Sequence, residues 1–193
     1  RCLTDLGAVL EEEEGVLRIR GFGRHPRSVA QLDVGNAGAV LRFLMSTAAF
    51  CEEVHFVNRY PQSLGKRPHD DLIRALEQMN VRVEHNGGKL PITIRGGRPK
   101  GGPITVSGKV SSQYLSSLLF MTPLLEEDSE ITVTDDLKSK VVVGQTLEVL
   151  EQAGIRVEAS DDLMHFRIPG RQQYVPGEYV IQGDYPGSAA ILA

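Results

Sequence analysis

The chain has 193 residues, 41% hydrophobic and 24% charged, enough apolar side chain for a globular protein of one or two domains to bury a core. Its net charge of −4 argues against a broad nucleic-acid surface, which needs clustered lysine and arginine in excess, but a small anion needs only a few placed cations. No apolar run approaches the ~20 residues that span a bilayer, and the two cysteines are too few for a disulfide framework or a thiolate metal site, so a reducing, cytoplasmic setting is expected.

Arg1 is not an initiator methionine, and Cys2, Leu3 and Leu6 read as the last turns of an amphipathic helix that begins upstream, so the chain is expected to be a piece of a longer protein. Residues 8–10 and 16–20 are predicted strands around Glu11 to Glu14, expected as a solvated turn. A weaker strand at 30–34 runs into Gly35-Asn36-Ala37-Gly38 and then a strongly apolar stretch, 39–50, predicted as a buried helix. Lys66-Arg67-Pro68 opens a surface helix over 70–79. Leu72, Ile73, Leu76 and Met79 share one face of it, and Pro68 sits near its start, where a missing N–H costs least. Residues 81–84 and 92–95 alternate with period two as a hairpin. A strand at 104–106 leads through Gly108-Lys109-Val110-Ser111-Ser112-Gln113 into an apolar helix over 114–125. Ser139-Lys140 precedes another helix, and 155–158 with 165–168 repeat the hairpin. A last strand at 179–181 meets Gly183-Asp184-Tyr185-Pro186-Gly187-Ser188.

These elements repeat. Leu3-x-x-Leu6-Gly7-Ala8, Leu76-x-x-Met79-Asn80-Val81 and Leu150-x-x-Ala153-Gly154-Ile155 are spaced by 73 and 74 residues, and Gly35, Gly108 and Gly183 by 73 and 75. A period this long, with a helix and strands inside it, means one small α/β unit copied along the chain. The strand–glycine–loop–helix junctions then become comparable sites. The first N–H groups of each helix lack intrahelical partners, and the aligned peptide dipoles favour an anion there. Asn, Ser and Asp before a helix are also the usual N-caps, and Gly at a strand end is ordinary turn chemistry. The middle junction goes further, since Ser111, Ser112 and Gln113 are consecutive where a cap needs one polar side chain. Arg67, fixed beside Pro68, offers a planar fork for carboxylate or phosphate. The five histidines show no paired ligand spacing, so no metal is expected.

Gly35-Asn36-Ala37-Gly38 followed by Arg42, then Lys66-Arg67-Pro68, Val110-Ser111-Ser112-Gln113, Ser139-Lys140 and Gly183-Asp184, in that order, resemble the 5-enolpyruvylshikimate-3-phosphate synthase (3-phosphoshikimate 1-carboxyvinyltransferase) family over essentially the whole chain. The resemblance implies an α/β (α+β) fold of repeated βαβαββ units around a pseudo-threefold axis. Residues 1–183 would be most of the N-terminal-type domain, with repeats at roughly 1–57 (truncated), 58–130 and 131–193, and 184–193 would begin the crossover to an absent second domain. It implies transfer of the enolpyruvyl group of phosphoenolpyruvate to the 5-hydroxyl of shikimate 3-phosphate with release of phosphate, on the way to chorismate. No cofactor, metal, nucleic acid or membrane would take part, and the full enzyme would be a monomer.

By the same resemblance, Ser111, Ser112, Gln113 and Ser139 would hold shikimate 3-phosphate, and Gly38, Arg67 and Gln113 would hold phosphoenolpyruvate; Asn36, Arg42 and Lys140 are weaker candidates. The family's proton-transfer groups come from a Lys-Ser motif near the start of the full protein and from the other domain, so no catalytic residue is assigned and this stretch alone is expected to be inactive. Ala39 and Phe43 stand where the family usually has Thr and Pro. That departure is expected to lower sensitivity to glyphosate, which takes the phosphoenolpyruvate position. Val142 stands where many members have Tyr, and no role is carried over to it. The sister family, UDP-N-acetylglucosamine enolpyruvyl transferase, usually carries a reactive Cys before its Arg-Pro motif, and residues 60–65 contain none. A non-catalytic repeat scaffold would leave the polar and cationic residues at the helix starts unexplained.

Overall fold

The computed structural model describes residues 1–181. A short helix, α1 (Cys2–Asp5), precedes a two-stranded antiparallel ribbon, β1 (Val9–Glu13) and β2 (Val16–Arg20). Two units with one path follow. The first runs β3 (Val29–Leu32), α2 (Gly38–Ala48), β4 (Val54–Phe56), α3 (Asp70–Gln78), β5 (Arg82–Asn86) and β6 (Lys89–Arg95), with strand order β3-β4-β6-β5. The second runs β7 (Gly102–Val106), α4 (Ser112–Met121), β8 (Ser129–Val133), α5 (Lys140–Gln152), β9 (Glu158–Ala159) and β10 (His165–Ile168), with strand order β7-β8-β10-β9. In both, the first strand pair is parallel and the rest antiparallel. Each unit is thus βαβαββ, and α1, β1 and β2 follow the order of the last three elements of such a unit.

The units begin at β3 and β7, so repeats divided at 57/58 and 130/131 are out of phase with the fold. The first division falls between β4 and α3 and the second inside β8. The signal that fixes the period, Leu-x-x-x followed by Gly7, Asn80 or Gly154 at positive φ, marks the end of a unit's second helix, which is its middle. The glutamate run also differs from expectation. Glu11, Glu12 and Glu13 pair with Arg18, Leu17 and Val16 in the ribbon, and only Glu14 and Gly15 turn, with φ of 50° and 79°. Left-handed φ at both central residues matches the twist of a two-residue hairpin, and a ribbon exposed on both faces tolerates charge along its length. Residues 179–181 form no strand; Val180 and Ile181 are 94% and 88% exposed. The junction at 183–188 lies outside the described residues.

The core is continuous across both units. α2 buries Leu41, Leu44, Met45 and Ala48, and α4 buries Tyr114, Leu115, Leu118, Leu119 and Met121. The two helices pack against each other, so the buried helix of one unit supports that of the next. Each buried leucine and methionine among them contributes about 1.5–3 kcal/mol on leaving water. α3 is amphipathic, burying Leu72, Ile73, Ala75 and Leu76, and β6 alternates Leu90, Ile92 and Ile94 inward. Hydroxyls run through the helix interface. Ser46 and Ser117 bond to each other, Ser117 Oγ donates to the Arg42 carbonyl at 2.7 Å, and Ser116 meets Thr146 at 2.8 Å. These bonds answer polar atoms that a dry interface would otherwise strand.

Candidate functional site

The loops that leave the C-terminal ends of the parallel strands β3, β4, β7 and β8 carry the predicted residues, and α2, α3, α4 and α5 start from them. Open α/β sheets place ligands at these strand ends. A surface hollow of about 510 Å³ lined by Phe50, Glu52, Asn80, Gly96, Gly97 and Arg98 lies at the opposite end of the first sheet, where β6 finishes beside the start of β4. It gathers one cation and one carboxylate, a poor match for a phosphate.

The β3–α2 loop is bent by Gly35, at φ 62°, whose N–H donates to Asp33 Oδ1 at 2.9 Å. Asn36 Oδ1 accepts the Leu64 N–H at 3.2 Å, tying this loop to the turn that carries Arg67. Asn36 is therefore a structural tie between the two loops. α2 begins at Gly38 after Ala37, with no side-chain cap, so its first N–H groups are left for another acceptor. A Cβ on Gly38 would lie 2.9 Å from Arg67 NH1, which places the guanidinium directly over the helix start. Arg67 is exposed and makes no ion pair among the described residues.

From the second unit, Ser111 caps α4 by accepting the Gln113 N–H at 3.3 Å. Arg42, one turn into α2, reaches across: its NH1 donates to Gln113 Oε1 at 2.7 Å and to Ser111 Oγ at 3.2 Å. The structure thus brings together Gly38, Arg67, Arg42, Ser111 and Gln113, with Ser112 buried beside them in the first turn of α4. The weaker candidate Arg42 is the link between the units.

The β8–α5 loop docks on the β7–α4 loop. A Cβ on Gly108 would meet Leu137 Cα at 2.8 Å, and the Lys138 N–H donates to the Gly108 carbonyl at 3.2 Å. Hydrogen bonds, first from Ser107 and then from Thr134, hold the Asp135 carboxyl below its ordinary range. This sets the loop of Ser139 against the loop of Ser111. Ser139 adopts the left-handed conformation, φ 56° and ψ 49°, and does not cap α5, so its hydroxyl is not spent on its own helix. Lys140 turns away, and its Nζ donates to the Asp162 carbonyl at 2.9 Å.

Two residues went unread in the sequence. Tyr114 is 1% exposed, carries the Arg42 guanidinium over its ring at 5.2 Å and donates its hydroxyl to the Pro68 carbonyl at 2.7 Å. His69 is wholly buried, and its pKa is lowered to about 4 by desolvation, then by Arg42 and Arg67, against an opposing pull from Asp70. The available signal was a histidine after Arg-Pro at the position that should cap α3, where Ser, Thr, Asp or Asn is usual.

Known proteins resemble this chain along its length. The family model of EPSP synthase (3-phosphoshikimate 1-carboxyvinyltransferase) matches residues 1–193. The chain belongs to the EPSP synthase family. It is 50% identical over 192 residues to the 3-phosphoshikimate 1-carboxyvinyltransferase of Deinococcus radiodurans, covering all of this chain and 44% of that protein. With the Burkholderia pseudomallei protein of the same name it shares 37% over 191 residues, 97% of this chain and 42% of that one. The chain thus spans less than half the length of these relatives. A solved EPSP synthase from Acinetobacter baumannii superposes with a TM-score of 0.74 over 90% of this chain and 38% of that one; at 22% identity it speaks for the fold alone. Among the described residues no helix is long and apolar enough to cross a membrane.

In this EPSP synthase family member the assembled groups are donors and cations. Guanidinium forks, hydroxyls and free helix N–H groups are, in general chemistry, suited to phosphate or carboxylate oxygens. At neutral pH, the buried ring of His69 is uncharged.

Proposed function

We propose that the chain supplies much of the substrate-binding surface of an enzyme that joins phosphoenolpyruvate to shikimate 3-phosphate. The enolpyruvate methylene takes a proton, the 5-hydroxyl oxygen bonds to the adjacent carbon and loses its proton, and the tetrahedral adduct then expels inorganic phosphate as the methylene reforms. Ser111, Ser112, Gln113 and Ser139 hold shikimate 3-phosphate. Gly38, Arg67 and Gln113 hold phosphoenolpyruvate, for which glyphosate competes. The observation that supports this most is the bridge from Arg42 to Ser111 and Gln113 with Arg67 poised over Gly38, because it sets two anion-holding groups of different units side by side. These residues position charge, and proton transfer falls to groups of the remaining protein. The enzyme works in the cytoplasm.

The full-length protein is expected to release phosphate from phosphoenolpyruvate only when shikimate 3-phosphate is supplied, and residues 1–193 alone are expected to give no turnover. Arg67→Ala is expected to raise KM for phosphoenolpyruvate about ten- to a hundredfold, the worth of a hydrogen bond to a charged group. Release of phosphate with UDP-N-acetylglucosamine instead, or activity from this chain by itself, would reject the assignment.

A further inference from the structure

Two side chains beneath the site carry buried polar atoms with no hydrogen-bond partner. Neither ring nitrogen of His69 has a hydrogen-bond partner, and the side chain has no exposed surface. Arg42 Nε is likewise buried and unpaired, although NH1 of the same guanidinium is bonded to Ser111 and Gln113. Folded proteins rarely leave buried donors and acceptors unmatched, and here the Arg42 Nε–H and both the donor and the acceptor nitrogen of the neutral His69 ring are without partners. The Arg42 guanidinium stacks on Tyr114 at 5.2 Å, and the Tyr114 hydroxyl donates at 2.7 Å to Pro68, the residue before His69. Among the charges His69 feels, Arg42 weighs most.

We propose that His69 is a positioning residue for Arg42, one ring nitrogen accepting the Arg42 Nε–H when an anionic substrate draws the guanidinium from Ser111 and Gln113. The inference rests on reading the site as a phosphoenolpyruvate and shikimate 3-phosphate pocket. In the structure Arg42 engages Ser111 and Gln113, the side chains read as holding the substrates. Turning the arginine onto His69 returns Ser111 and Gln113 to the ligand and fixes the fork toward it. An imidazole suits this better than a carboxylate, because a carboxylate would aim the arginine equally well but cancel the charge that attracts phosphate. Burial first, and then the cations Arg42 and Arg67, keep the proton off the ring, and Asp70 is the one opposing charge. The histidine also makes no side-chain cap bond to α3, at a position where a capping residue would be ordinary.

The test compares His69→Leu, His69→Gln and His69→Asp in the full-length enzyme. His69→Leu removes the acceptor and is expected to raise KM for phosphoenolpyruvate about tenfold while kcat changes far less. His69→Gln, whose amide oxygen can accept, restores most of the affinity, and His69→Asp binds more weakly than His69→Gln because it neutralises Arg42. A KM unchanged in His69→Leu, or a Gln variant no better than Leu, overturns the proposal; should the Leu variant not fold, an Asp variant that binds as well as Gln overturns it. Arginine Nε–H resonances followed by NMR during titration with inorganic phosphate give a readout independent of turnover. The wild type is expected to show a new downfield Nε–H signal that His69→Leu and His69→Asp each alter, and identical spectra overturn the proposal. If that signal appears but the wild type does not turn over shikimate 3-phosphate, the functional reading fails and the His69–Arg42 contact stands.

Discussion

At the scale of single residues, His69 links the site to the stability of the fold. Its ring titrates near pH 4 when folded, against 6.5 for an ordinary histidine, with desolvation the first cause and Arg42 the second. Between those values the unfolded chain binds a proton that the fold excludes, so stability rises with pH across the window and is lost as pH falls from 6.5 toward 4. The loss reaches roughly 3 kcal/mol at the acid end, an order of magnitude set by 1.36 kcal/mol per pKa unit. Urea denaturation at pH 7 and pH 4.5 is expected to show a smaller pH-dependent loss for His69→Leu than for the wild type. Equal losses would mean that the ring is protonated in the fold. Neither His69 nor Tyr114 was legible in the sequence, because a lone histidine or tyrosine carries no periodicity and its importance lies in what surrounds it. Ser111 and Gln113 were legible because adjacent polar residues at a helix start exceed what a cap requires.

At the scale of elements, the helices and hairpins followed from apolar period and from glycine, while phase and edges did not. Strands 165–168 and 102–106 alternate clearly, but the boundary between units has no composition of its own, since one unit ends in the same turn chemistry that joins strands within it. The end of β6 shows how tight that turn is. A Cβ on Gly96 would lie 2.0 Å from the Ala49 carbonyl oxygen, at the end of α2, and the Gly97 N–H donates to that same carbonyl at 2.9 Å. Backbone cannot yield as a side-chain tip can, so Gly96→Ala must push α2 and β6 apart. The expected cost is about 3 kcal/mol or more, the range of strain and overpacking at a special backbone position, read as a lowered denaturation midpoint. Gly15→Ala, at φ 79° in the open turn of the β1–β2 ribbon with nothing within 4 Å, is a control whose smaller loss comes from backbone conformation alone.

At the scale of the molecule, the shared core makes the two units one cooperative body. Cys51 reports on it: the thiol is 1% exposed, and burial pushes its pKa to about 11. Only thiolate alkylates, so labelling of Cys51 by iodoacetamide at pH 8 is expected to wait on opening of the core and to accelerate with urea in step with loss of helical signal. Fast labelling in native buffer would show that the first unit opens on its own. The family was legible because its motifs, among the described residues, fall in loops that leave strand ends, where backbone geometry narrows the choice of residue. The bridge between units was not, since Arg42 and Gln113 are 71 positions apart and no local pattern joins them. That bridge has a partner deeper inside. α4 grips Arg42 twice, through Gln113 at the guanidinium and through Ser117, one turn along, at the carbonyl. A swap among the interior hydroxyls would therefore re-point a half-buried cation with no substitution at the protein surface. Drift at Ser46 or Ser117 would then act as a quiet dial on the charge that the candidate site presents.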